Sequence, residues 1–130
     1  MIDQTNRLLT RTIARLANFA SSHECPVYRL GDATARPDQL PRALYVEAAR
    51  REQHGDREIC DLRLHLRTST RVDPSLLVLD ELQAALENEL DTVLDGTGVV
   101  PGSVTQSISD DFHVRTLSFS VFIIGELPTI

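Results

Sequence analysis

The stretch DPSLLVLDELQAALENELDTVLDG, residues 73–96, decides how the rest of the chain must be arranged. Asp73 can accept a hydrogen bond from a free backbone N–H of a first helical turn. Pro74 supplies the fixed φ tolerated at the first helical position, and Gly96 can take the left-handed conformation that closes a helix. At about 100° per residue, Leu76, Leu79, Leu82, Leu86, Leu90, Val93 and Leu94 fall on one stripe, interrupted only by Gln83. The spacing predicts an amphipathic helix whose stripe lies on a second layer. The opposite side carries Asp80, Glu81, Glu87, Glu89, Asp91 and Asp95 with no Lys or Arg among them. Glu89, Asp91 and Asp95 sit toward the negative end of the helix, where they are mildly unfavourable. Such a face is either solvated or matched by cations from elsewhere.

Working outward, the second layer is legible as strands. Cys60, Leu62, Leu64 and Leu66 alternate with Asp61, Arg63, His65 and Arg67, the period of a strand with one apolar and one charged face. Residues 43–49 read as a strand that starts after Pro41, and residues 52–57, around Gly55, as the turn of a hairpin. Residues 27–30 make a short strand, followed by a polar, Pro-containing loop over 31–41. Before it, residues 3–20 read as a single amphipathic helix, with Asp3 as cap, Leu9, Ile13, Leu16, Ala17 and Ala20 on the buried side, and Arg7, Arg11 and Arg15 in a basic row.

Past the organising helix, residues 96–102 form a Gly/Pro-rich connection, residues 103–109 a strand, and Asp110-Asp111 a turn. In the last strand Leu117, Phe119, Val121 and Ile123 face one way and Thr116, Ser118 and Ser120 the other. Residues 125–130, with Pro128, are read as an extended tail that leaves the sheet. The whole of 1–130 is thus expected to be one α+β domain, with two helices packed on one face of a mostly antiparallel sheet of four to five strands. The other sheet face would display Asp61, Arg63, His65, Arg67, Thr116, Ser118 and Ser120, either wet or covered by another subunit.

Composition narrows the function. The 130 residues can bury one core without disulfides or metal, and no apolar run approaches the ~20 residues that cross a bilayer. The first residues, MIDQTNR, lack the basic start and apolar run of a signal peptide, so a cytosolic protein is expected, with Cys25 and Cys60 as reduced thiols. The net charge of −6 hides a division. Residues 1–71 hold 12 Arg against 9 acids, a net of +3, and residues 72–130 hold Arg115 against 10 acids, a net of −9. All 13 basic residues are Arg, which favours planar multidentate pairing over diffuse solvation. A chain with one basic and one acidic half can associate head to tail with its own copies. With an acidic whole and no aromatics interleaved among the Arg row, sequence-specific nucleic-acid recognition is not expected.

The residues give no reaction geometry. His23-Glu24-Cys25 are adjacent potential ligands, but neighbours in sequence rarely aim at one metal and no spaced second pair completes a site. The serines lack a Gly-x-Ser-x-Gly elbow, Gly96-Thr97-Gly98 does not lead into a helix as a phosphate loop must, and Asp110-Asp111 are accounted for by turn chemistry. His65, between Arg63 and Arg67, is an exposed strand residue or part of an interface. No catalytic residue, metal or cofactor is assigned.

The arrangement resembles the tail terminator proteins of long-tailed bacteriophages, the group of minor tail protein U. The resemblance spans nearly the whole chain. It rests on the N-terminal amphipathic helix, Leu40-Pro41 before Ala43-Leu44-Tyr45-Val46-Glu47, the alternating strand 60–67, the Asp-initiated helix 73–96 and the closing strand Arg115-Thr116-Leu117-Ser118-Phe119-Ser120-Val121. It implies a structural virion protein that forms a homohexameric ring on the finished tail tube, stops tube polymerisation and offers the surface to which the head-completion or connector protein docks. DNA only passes through such a ring, and no membrane is involved. The protein would act in the host cytoplasm during assembly and reside at the head-proximal end of the virion tail. Arg7, Arg11, Arg15, Arg63, His65 and Arg67 on one side, and Glu81, Glu89, Asp91 and Asp95 on the other, are the residues expected at subunit or partner contacts. The competing expectations are another neck, tail-completion or tail-tube protein of similar fold, and a host cytosolic adaptor that docks a protein on the acidic helix.

Overall fold

The computed structural model describes residues 4–32 and 40–127. In chain order it contains α1 (Gln4–Arg15), α2 (Ala17–Ser22), β1 (Val27–Arg29), β2 (Arg42–His54), β3 (Arg57–Ser69), α3 (Leu77–Val93), β4 (Gly98–Ser109) and β5 (Phe112–Ile124). The strands form one sheet in the order β1-β2-β3-β5-β4. All neighbours are antiparallel except β1, which runs parallel to β2. This is the expected α+β class, with five strands.

The central strand β3 alternates as its sequence requires. Cys60, Leu62, Leu64 and Leu66 are fully buried, whereas Asp61, Arg63, His65 and Arg67 lie on the other face. Those leucines share one core with Leu44 and Val46 of β2, Leu117, Val121 and Ile123 of β5, Leu8, Leu9 and Leu16 of the N-terminal helices, and Leu79, Leu82 and Leu86 of α3. Helix α1 touches β1, β2 and α3, and α3 touches β3. The far strand β4 is outside this cover and is exposed along its whole length.

Helix α3 keeps its predicted stripe but begins differently. Its first helical residue is Leu77, and the preceding Leu76 is left-handed at φ +67°. Asp73 still caps the helix, from four residues back: its carboxylate accepts Val78 N–H at 2.9 Å and Leu79 N–H at 3.0 Å, and the hydroxyl of Thr68 at 3.0 Å. Pro74 therefore lies in the turn before the helix. At the far end Gly96 has φ +86°, as a helix stop requires, and a Cβ there would come 3.3 Å from the Arg11 guanidinium.

Four other expectations need correction. The N-terminal helix is broken at Leu16 into α1 and α2; Leu9 and Leu16 are buried as expected, but Leu8, Arg11, Thr12 and Phe19 are buried with them and Ala17 is exposed. Next to the break, the Thr12 hydroxyl donates to Leu8 O at 2.7 Å, a back-bond of the kind that bends helices. The β2–β3 turn is only Gly55-Asp56, so residues 52–54 and 57 belong to strands. The Gly/Pro connection is mostly strand: β4 starts at Gly98 and carries a register shift between Pro101 and Val104. Gly102 sits in that bulge, where a Cβ would lie 3.0 Å from Ser118 O, and the outer edge position spares Pro101 from needing a donor. The Asp110-Asp111 turn is present, with Asp110 at φ +54°.

Residues 125–127 do not extend away. Leu127 is buried in the core, its N–H donates to Gln4 Oε1 at 3.0 Å, and its carbonyl accepts Arg7 at 3.0 Å. The expectations placed on Asp3, on the loop between Asp32 and Leu40, and on Pro128 fall outside the described residues.

Candidate functional site

Of the basic and acidic residues singled out in the sequence, Arg11 and Asp95 meet within the chain, through the backbone carbonyl of Asp95. Arg11 is only 3% exposed and donates to Asp95 O beyond the end of α3. Arg15 donates to Thr92 O at 3.1 Å and to Val93 O at 3.5 Å. The last carbonyls of a helix have no partners of their own and carry its negative end. Two guanidinium groups at this terminus therefore supply donors to carbonyls beyond the helix's own ladder and oppose the dipole. Burial lowers the Arg11 pKa, the neighbouring Arg15 charge adds to that effect, and Asp95 opposes it. Arg7 pairs with Glu126 at 2.7 Å. The Arg row thus ties α1 to α3 and to the chain's last described residues.

On the open sheet face a ladder of polar side chains crosses three strands. His65 sits opposite Tyr45 and Thr116, and Arg63 opposite Glu47 and Ser118. His65 Nε2 lies 2.9 Å from Glu47 Oε1 and its Nδ1 2.8 Å from Thr116 Oγ1, so in the neutral ring Nε2–H donates to the carboxylate and Nδ1 accepts the hydroxyl. Arg63 also reaches Glu47, at 3.5 Å, and Arg51 spans Asp61 at 3.4 Å and Ser120 at 2.8 Å. Arg67 lies 3.7 Å over the Phe112 ring, a cation–π contact. Arg63, His65 and Arg67 are therefore engaged within the face, and Glu47 is the acid that joins the first two.

The third region lies between α3 and β4. Asp80, Gln83, Glu87 and Asp91 follow one line along the helix on the side toward β4. Asp80 and Gln83 bond Arg115 of β5, at 2.6 and 2.9 Å, and Glu87 and Asp91 border a groove of about 410 Å³. Its floor and far wall are Leu90, Leu117, Phe119, Val99, Pro101 and Val104. A second hollow of about 310 Å³ continues from Asp91 to Asp95 and Gly96. Glu81, Glu89 and Asp91 have no cationic partner among the described residues. Glu81 is exposed away from the groove and Glu89 is half-buried.

Strand β4, the outer wall, reads GVVPGSVTQSIS and has no charged residue. Val99, Val100, Val104 and Ile108 are 37–68% exposed. One edge of the strand pairs with β5 and the other is open. Residues 103–109 of it were expected as a strand and residues 98–102 as a connection, so the continuous uncharged edge was missed, although twelve residues without a charge in a chain that is 25% charged were the available signal.

Neither thiol belongs to a site. Cys25 is fully buried, and burial pushes its pKa up to about 12 despite the opposing charge of Arg42. Among the described residues no group of three or more His, Cys, Asp or Glu is placed to hold a metal, and no helix is long and apolar enough to cross a membrane. Compared with known protein families and with curated proteins, the chain matches none.

Proposed function

We propose that this chain is a structural subunit of a phage or prophage tail: a tail terminator that closes into a homohexameric ring on the tail tube, stops its growth and offers the docking surface for the head. The observation that carries the reading is β4, an edge strand of twelve uncharged residues, exposed along its length and bordered by an apolar groove. Soluble proteins usually protect such edges with charge or cover. An edge left uncharged is suited to a chain that works among copies or partners. The family resemblance supplies the ring, and the unlike ends of the molecule supply the two different patches that cyclic closure needs. DNA passing through needs no sequence-reading groups, and the reading assigns neither cofactor nor catalytic residue.

Incubation with tail tubes, followed by negative-stain electron microscopy and mass determination in solution, tests the reading. Six-subunit rings seated on tube ends, with no further elongation, are expected. Long tubes of this chain alone would make it a tube subunit. A monomer or dimer that ignores tubes at every concentration would overturn the assembly reading and favour an adaptor.

A further inference from the structure

The two edges of the sheet differ in charge on the same face. On the core side of the β1/β2 edge stand Arg29, Arg42 and Arg50: Arg29 is in register with buried Val46, Arg42 with buried Thr68, and Arg50, already paired with Glu58 at 3.7 Å, with buried Cys60. Arg29 is exposed and has no ion-pair partner among the described residues, and Leu30 beside it is 47% exposed. On the core side of the opposite edge stand Glu87 and Asp91 above the bare valines of β4. Five strands at about 4.8 Å make a sheet about two helices wide at most, and the two longer helices, α1 and α3, contact β1, β2 and β3. What is left is an apolar shelf with an acidic wall at one edge and cations with an exposed leucine at the other.

Resting on the ring reading, we infer that the α3/β4 groove of one copy receives the β1/β2 edge of the next, with Arg29 of that neighbour set against Glu87 and Asp91. Rotation about a ring axis keeps the same sheet face outward in every copy and brings the left edge of one against the right edge of its neighbour. Charges that must pair across the contact therefore have to lie on the same face at opposite edges, which is where Arg29 and the Glu87/Asp91 pair lie. Arg7, Arg11 and Arg15, committed within the chain, are not needed for it.

Charge reversal tests this with two variants, Arg29→Glu and the double Glu87→Arg/Asp91→Arg, compared with wild type by native mass spectrometry and sedimentation. Each variant alone presents like charges at both edges and is expected to lose assembly at least tenfold. The equimolar mixture presents opposite charges at every contact. It is expected to recover hexamers with three copies of each, strictly alternating. Circular dichroism and thermal unfolding check that each variant folds; if a reversal does not fold, Arg29→Gln and Glu87→Gln/Asp91→Asn replace it, each expected to weaken assembly without recovery on mixing. Wild-type rings together with undiminished rings from both variants would overturn this contact while leaving the ring reading intact, as would charge-reversed variants that fold, fall apart and do not recover when mixed. A wild type that forms no ring, alone or on tubes, would overturn the ring reading and this contact with it.

Discussion

Arg11 is nearly withdrawn from water, yet among the described residues it makes a single hydrogen bond, to Asp95 O, and its Nε and Nη1 find no acceptor there. Two effects oppose each other there. A charge-assisted bond to an orphan carbonyl is worth about 1.5–3 kcal/mol, and withdrawing a cation from water costs several kcal/mol. With the terms this close, the hydrocarbon stem decides. Arg11→Met, which keeps the stem, is expected to change stability by less than about 1 kcal/mol, whereas Arg11→Ala, which opens a cavity, should cost about 2–5 kcal/mol in urea unfolding. Asp73 is the contrary case, a buried carboxylate with three donors. Asp73→Ala removes the helix cap and strands the Thr68 hydroxyl, for an expected loss of about 2–3 kcal/mol by the same measurement. The sequence revealed that Asp73 caps α3, because Asp before an apolar run is a capping signal. It could not reveal the detour through left-handed Leu76, which depends on where β3 delivers the chain. It also misjudged Arg11, since spacing marks a basic row but cannot say that a helix end waits opposite.

Among the elements, α3 was the most legible, because a stripe sustained over five turns has only one way to be buried. Leu79, Leu82 and Leu86 are at most 2% exposed, and Leu86 touches the core between the sheet and the N-terminal helices. Leu86→Ala is expected to cost about 2–5 kcal/mol, and Leu77→Ala, at 64% exposed, less than about 0.5 kcal/mol. Equal losses in denaturant midpoints would contradict the assigned stripe. The long alternating strands were read as clearly, since a period of two over eight residues fixes which face is apolar. Less legible was the N-terminal helix, where Leu8 and Leu9, with Thr12 and Ile13, offer two overlapping stripes. Propensity does not choose between them; a buried, self-bonded Thr12 does. The start of β4 was hidden because Gly and Pro signal a loop unless a bulge at an edge absorbs them.

For the whole molecule, the candidate surface was half legible. The acidic face of α3 stood out from composition alone, and Asp91 and Asp95 do border hollows. Which acids look toward a partner depends on the line that α3 takes across the sheet, and this brings Glu87 to the groove and leaves Glu81 outside it. The open face, expected from alternation, came as predicted, but its charges are paired side to side across strands, which one sequence without a register does not disclose. The uncharged β4 edge gives the last prediction. Val104 is 54% exposed and lies on the groove wall, opposite Leu117. A lysine there has room to reach solvent in the monomer, so Val104→Lys should leave unfolding free energy within about 0.5 kcal/mol of wild type. In an assembly the same lysine would be buried beside apolar groups, and a charge on an open edge is also how natural sheets resist pairing. Sedimentation across a concentration series should therefore show Val104→Lys dissociating where wild type remains assembled, while their unfolding curves coincide. Curves that separate, or assembly that is unchanged, would mean that the edge is closed within the monomer or faces no partner.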